Sequence, residues 1–149
     1  MEGKNASLKR AAPLFPTLAA IVAHDRAGGK LTVKNSCARN LHRLMHVITF
    51  LRIILEQLTA SPLLSLREAV TNAYELSLSP IHTYVVRTAV WAGMYSLPTR
   101  TAFLASIGET EESARATAAE FIVSALSITQ QIEKLYDVDM PASDTVWLG

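Results

Sequence analysis

The segment from Ser36 to Thr59 reads as one long helix with apolar residues on two sides, and this pattern limits the possible folds more than any other feature. At about 100° per residue, Leu41, Leu44, Ile48, Leu51 and Leu55 form one stripe. Roughly opposite lie Arg39, Arg43, His46, Phe50, Ile53 and Ile54, a stripe that is cationic at its N-terminal end and apolar at its C-terminal end. A helix on the surface of a domain is apolar on one face only. The second half of this one is apolar on both, so it belongs in the middle of a helical assembly.

The rest of the chain supplies helical partners. Apolar residues recur at helical spacing, and no run alternates as a half-buried strand would. A first helix is expected over Thr17–Asp25, ended by Gly28 and Gly29. A third runs from Ser65 to Ser77. A fourth starts at Pro80, a residue suited to the first helical position, and continues to Ser96 before Pro98. A short helix over Thr99–Ile107 stops at Gly108. The last spans Thr110–Tyr136, with Glu111 and Glu112 in its first turn and Lys134 in its last, which suits the helix dipole. Pro141 prevents continuation, and the tail beyond it is expected to be flexible. At 149 residues, half of them hydrophobic, the chain makes one all-α domain with short connections.

Fourteen Lys and Arg against thirteen Asp and Glu leave a net charge of +1, which gives no sign of a nucleic-acid partner. The acidic start of the Thr110–Tyr136 helix also argues against a DNA-recognition helix. A single cysteine, Cys37, excludes an internal disulfide and suits a reducing compartment. The longest apolar stretch, Val47–Leu55, is interrupted by Arg52 and is too short to span a bilayer. A cytoplasmic location is expected.

Chemistry concentrates on the central helix. Arg39 and Arg43, one turn apart, can grip a phosphate through bidentate hydrogen bonds. Below them Phe50, Ile53 and Ile54 can line a channel for acyl chains. Spacing alone equally allows solvated or ion-paired arginines above a plain core, which is the commoner arrangement. His42 and His46 stand at i, i+4 as half of a zinc site, but no Cys or carboxylate cluster completes it, so no metal and no cofactor are expected. His82 falls in the first turn of the Pro80 helix, where a local hydrogen bond is the ordinary role. Trp91, in an apolar helix, is expected in the core, and Trp147 exposed. No nucleophile–base pair or phosphate loop is present, and no enzyme is expected.

Two segments, ARNLHRLMHVITFLRIILEQL (Ala38–Leu58) and SPIHTYVVRTAVWAGMYSLPTR (Ser79–Arg100), resemble the glycolipid transfer protein family. They are most similar to its ceramide-1-phosphate-carrying branch, which includes the plant accelerated-cell-death 11 type. The carrying motifs are an Arg-x-x-x-Arg helix, the His-x-x-Val-Val-Arg stretch and the Leu-Pro-Thr-Arg that follows. The resemblance implies a two-layer, all-helical sandwich that binds one sphingolipid and moves it between membranes without covalent chemistry. It gives Arg39 and Arg43 the phosphate and His82 the ceramide amide. Where glycolipid-selective members carry a sugar-stacking tryptophan, this chain has Arg43, and a phosphate head group follows.

The resemblance runs from about Leu18 to Tyr136, so the expected division is a variable segment over residues 1–16, the family-like domain over 17–140 and a flexible tail over 141–149. The family's opening helices, one of which carries an aspartate that bonds the ceramide, should precede Leu18. No aspartate stands there, and Asp25 lies downstream and does not match. The expectation is a sandwich without its opening helices, an incomplete amide site, and self-association through the exposed apolar surface. The implied partners are ceramide-1-phosphate and a transient membrane contact. The alternative is a shortened helical module that binds a protein or membrane without transferring lipid.

Overall fold

The computed structural model describes residues 4–143. They form seven α-helices and one 3-10 turn: α1 (Lys4–Ala11), α2 (Leu18–Ala27), α3 (Cys37–Ala60), α4 (Leu66–Ser77), the turn Ser79–Ile81, α5 (Tyr84–Met94), α6 (Arg100–Ser106) and α7 (Glu111–Glu133). Trp147 lies outside the described residues. So does the tail beyond Ser143.

Local chemistry sets the helix starts. Thr17, Ser36, Ser65, Thr99 and Thr110 each accept a main-chain N–H from the first turn of the helix that follows. Ser65 and Glu68 complete a reciprocal capping box at α4. After α2, Gly29 takes a φ of 65°, a left-handed conformation that a side chain would resist. These starts agree with the sequence reading to within a residue, whereas α2 runs on to Ala27 instead of ending at Asp25, and α7 ends at Glu133 instead of Tyr136.

The central position expected of the long helix is observed. On one side of α3, Ala38, Leu41 and Met45 pack with Val22 of α2, Leu31 and Ile132 of α7. On the other, Leu58 and Ile54 pack with Leu66 and Ala69 of α4. Val47 and Phe50 meet Tyr74 of α4, Leu78 just after it and Met94 of α5. Arg100, at the start of α6, donates to the carbonyls of Leu58 (2.8 Å) and Ser61 (3.0 Å), closing the C-terminal end of α3. It also pairs with Glu111 at the start of α7.

Three features differ from the sequence reading. Residues 4–11, within the segment expected to be variable, form α1. Leu8 packs against the α2–α3–α7 core, and Ser7 Oγ accepts Asn40 Nδ2 at 2.9 Å. The helix over Pro80–Ser96 is divided: Pro80 opens only the 3-10 turn, and His82 is extended (φ −101°, ψ 143°) before α5 begins. The cause is a backbone pairing that competes with helix formation, since Ser143 N–H donates to the Ile81 carbonyl and Thr83 N–H to the Ser143 carbonyl. The same pairing corrects the expected tail in its described part, because residues 141–143 are docked. Trp91, expected in the core, is exposed on α5.

Asp25 organises the entry to α3. It is buried, and its Oδ2 accepts the Ala38 N–H at 2.8 Å, one of the helix donors that no carbonyl can reach. Asp25→Ala leaves that buried N–H without an acceptor and is expected to cost about 1–3 kcal/mol, measured by denaturant unfolding.

Candidate functional site

Arg39 and Arg43 stand one turn apart on α3, as the wheel requires, but their surroundings differ. Arg43 is buried, only 5% exposed. Arg39 is half-buried at the edge of the sandwich. Its guanidinium donates to the carbonyls of Thr32 (3.2 Å), Pro141 (3.4 Å) and Ala142 (3.3 Å). Its Nε is buried without an acceptor among the described residues. Carbonyls orient a guanidinium but carry no net charge, so the cation retains its attraction for an anion.

His82 is brought to this end of α3 by the pairing of its segment with Ser143. It is buried, and its Nδ1 lies 3.1 Å from the hydroxyl of Tyr74 on α4. Burial, with Glu75 adding to it, raises the Tyr74 pKa, so the phenol stays protonated and can donate. This contact fixes the orientation of the His82 ring, with the phenol donating to Nδ1 or accepting from it according to the tautomer.

Below His82 opens a cavity of about 300 Å³. Helix α3 lines it with Val47, Phe50 and Leu51, and α4 with Val70 and Tyr74, followed by its cap residue Leu78. Val90, Gly93 and Met94 of α5 close the third side. Of the expected channel residues, Phe50 is in the lining. Ile54 shares its helix face but sits one turn further along, where the start of α4 closes in and Leu58, Leu66 and Ala69 cover it. Ile53 is half-buried away from the lining. Leu51, assigned to the opposite stripe, takes part in the lining as well.

Sequence reasoning missed Tyr74, Leu51 and the Pro141–Ser143 segment. Tyr74 carried a signal, since Leu66, Ala69, Ala73, Tyr74 and Ser77 share the buried face of α4. The contact between residues 141–143 and Arg39 joins positions about a hundred apart and has no local signature.

His42 and His46 do approach each other, with ring centroids 4.7 Å apart, and His42 also meets Tyr136 edge-on at 5.1 Å. No group of three or more metal-ligating side chains occurs among the described residues. Burial, then the neighbouring His46 and Arg43, lower the His42 pKa to about 4. Burial also lowers that of His46, whose Nδ1 faces the Ser77 carbonyl at 3.0 Å. These rings are packing groups kept neutral.

Two predictions follow from this geometry. His42 is neutral in the fold down to about pH 4, whereas an unfolded histidine takes up a proton near pH 6.5. The unfolded state therefore binds more protons in that window, and stability falls as pH drops through it. Denaturant unfolding at several pH values should show this decline, and His42→Phe should flatten it. Tyr74→Phe keeps the ring and removes the bond to His82. It should cost about 1 kcal/mol and shift the imidazole nitrogen resonances of His82.

Comparisons with known proteins identify relatives of this chain and of its fold. The family model described as Glycolipid transfer protein (GLTP) matches residues 1–109. An accelerated-cell-death 11 homolog protein of Arabidopsis thaliana is 36% identical over 129 residues, covering 87% of this chain and 56% of that protein. The human ceramide-1-phosphate transfer protein is 29% identical over 129 residues, covering 79% of this chain and 60% of that protein. The chain thus spans little more than half the length of these relatives. A crystal structure of an Arabidopsis accelerated-cell-death 11 mutant complexed with ceramide-1-phosphate superposes with a TM-score of 0.83 at 28% identity, over 89% of this chain and 66% of that one. Human ceramide-1-phosphate transfer protein in complex with ceramide-1-phosphate gives a TM-score of 0.81 at 26% identity, over 93% and 74% of the two chains.

Proposed function

This chain belongs to the glycolipid transfer protein family, and on that premise we propose that it binds ceramide-1-phosphate and moves it between membranes without making or breaking a covalent bond. The observation that carries this reading is the sequence of environments along one side of α3. Two cations, Arg39 and Arg43, stand at its N-terminal end, and the apolar cavity lined by Phe50 lies below them. A lipid with an anionic head and a hydrocarbon body has the same order of properties. His82, oriented by Tyr74, stands where head group meets chain and donates to the ceramide amide. The relatives that bind or transfer ceramide-1-phosphate support the choice of head group.

No helix among the described residues is long and apolar enough to cross a membrane. The proposed membrane contact is peripheral and transient, with the protein in the cytosol between contacts. The outer face of α5 suits it: Tyr84, Val85, Trp91 and Tyr95 are all exposed there, and tyrosine and tryptophan favour the level of the lipid head groups. The inner face of the same helix walls the cavity, so docking by α5 would bring the lipid site to the bilayer. Self-association through exposed apolar surface is the competing use of that face.

The test is extraction of lipid from vesicles containing ceramide-1-phosphate or galactosylceramide. The chain should load ceramide-1-phosphate preferentially. Arg39→Gln and Arg43→Gln each remove charge-assisted hydrogen bonds of about 1.5–3 kcal/mol, so each should weaken loading by about tenfold or more. Equal loading of the two lipids overturns the head-group assignment. Vesicle binding with no loading of either favours a membrane-binding module that transfers nothing.

A further inference from the structure

A second cleft lies at the N-terminal end of α3, on the side away from Arg39. Its volume is about 480 Å³, larger than that of the cavity lined by Phe50. Cys37, in its wall, stands about 160° around the helix from Arg39 at ~100° per residue. The α2–α3 connection separates the two sites. Thr32 turns its carbonyl to Arg39, whereas Lys30, Val33 and Lys34 line the cleft. The connection is ordered: Leu31 is buried in the core, and the Lys30 N–H donates to the Asp25 carbonyl at 2.7 Å.

Two kinds of side chain meet in this cleft. Arg10 of α1 and Lys30 and Lys34 of the connection bring cations from separate segments of the chain, and His24 of α2 adds an imidazole. Asp25 is the single carboxylate among the lining residues, and its Oδ2 is engaged by the Ala38 N–H at 2.8 Å. Burial, then the charge of Asp25, raises the pKa of Cys37, so the thiol brings no negative charge. The other walls are apolar. Ala11 and Ile21 are buried, Phe15 packs on His24 with ring centroids 5.0 Å apart, and Leu14 and Val33 are exposed.

We propose that this cleft is a second binding site, which takes a phosphate monoester with an apolar organic part. Inorganic phosphate would meet the cations and leave the apolar walls in water. A neutral apolar molecule would cover those walls and leave the excess of cations unanswered. A phosphate monoester joins the two, with up to two negative charges and three acceptor oxygens for an arginine and two lysines that reach it from different elements. The volume lies within the ~300–1,000 Å³ of small-molecule sites. Soluble organic phosphates and the head group of phosphatidic acid share this chemistry. The site uses none of Arg39, Arg43 and His82, so it stands independently of the lipid-transfer reading.

The experiment follows the amide resonances of the nitrogen-15-labelled protein during titration with 1-naphthyl phosphate. Lys30, Lys34 and Cys37 should shift and saturate. Inorganic phosphate and 1-naphthol, each carrying half of the chemistry, should bind about tenfold more weakly. Lys30→Gln combined with Lys34→Gln, both exposed positions, should weaken naphthyl phosphate binding by about tenfold with an unchanged circular dichroism spectrum. Arg39→Gln should leave it unchanged. If the double variant does not fold, salt decides, since about 0.5 M sodium chloride should weaken binding severalfold. Vesicles of phosphatidylcholine with and without phosphatidic acid distinguish the sources. Lysine-dependent loss of the cleft resonances on phosphatidic acid vesicles alone assigns the site to a membrane lipid, and no response to either vesicle assigns it to a soluble phosphate. Absence of saturable shifts at the cleft, equal binding of 1-naphthol, or full binding by the folded double variant overturns the site, whatever the outcome of the lipid-extraction test.

Discussion

Burial of α3 from two directions is the constraint to which the other helices answer. Helices α2 and α7 cover its Ala38–Leu41–Met45 side, and α4 covers the side carrying Ile54 and Leu58. A helix held in this way cannot rotate or slide without opening one seam or the other. Arg39, Arg43, Val47, Phe50 and Leu51 are consequently fixed relative to one another, and the site inherits its geometry from the core. The ends of α3 are secured by polar means, with Asp25 accepting the Ala38 N–H at one end and Arg100 donating to the Leu58 and Ser61 carbonyls at the other. Buried helix ends need such partners, because four main-chain groups at each end have none within the helix.

The Arg39 and His82 end of the fold depends on chain segments that are distant in sequence. Arg39 is steadied by carbonyls from the α2–α3 connection and from residues 141 and 142. Ser143 holds the Ile81–Thr83 main chain in an extended form, and this turns His82 toward Tyr74. Carbonyl partners are suited to this task. A carboxylate would also orient the arginine, but it would neutralise the charge that an anionic ligand requires. Rigid placement and available charge are thus obtained together.

Much of this was legible in the sequence where the signal was periodic or local. The two-sided pattern of Ser36–Thr59 identified the central helix, and hydroxyl caps and glycines marked most helix ends. The side of α3 that carries Arg39, Arg43 and Phe50 followed from the wheel. The depth of the cavity along that side did not. Whether Ile54 meets a cavity or a neighbour is decided by where α4 begins to close on α3, a tertiary fact that the wheel does not contain. The break at His82 was hidden for a similar reason. Pro80 is a valid helix start, and the residue that competes for the backbone, Ser143, lies some sixty positions away. Helix α1 escaped because eight residues are too few for helical periodicity to stand out. Its stability comes from the contacts of Leu8 and Ser7, not from propensity.

On the proposed lipid-binding reading, holding a lipid and choosing it fall to different parts of α3. Apolar burial grows with area at about 25 cal/mol per Å², so a hydrocarbon chain seated among Phe50, Tyr74, Val90 and Met94 supplies most of the affinity, and any chain that fits supplies it equally. Two arginines and a histidine add less in total, because bringing a phosphate out of water costs much of what the ion pairs return. Their contribution is nonetheless the part that differs between one head group and another, and differences alone determine selectivity. Placing both functions on a single rigid helix makes them conditional on each other. A chain drawn into the cavity would bring its head group toward Arg39 and Arg43, and a neutral head group arriving there would forgo the charge-assisted hydrogen bonds that a phosphate can make with the half-buried Arg39. Selectivity on this reading comes from the charge-assisted hydrogen bonds that a neutral head group cannot make, a difference that the apolar wall, equal for any chain that fits, does not supply.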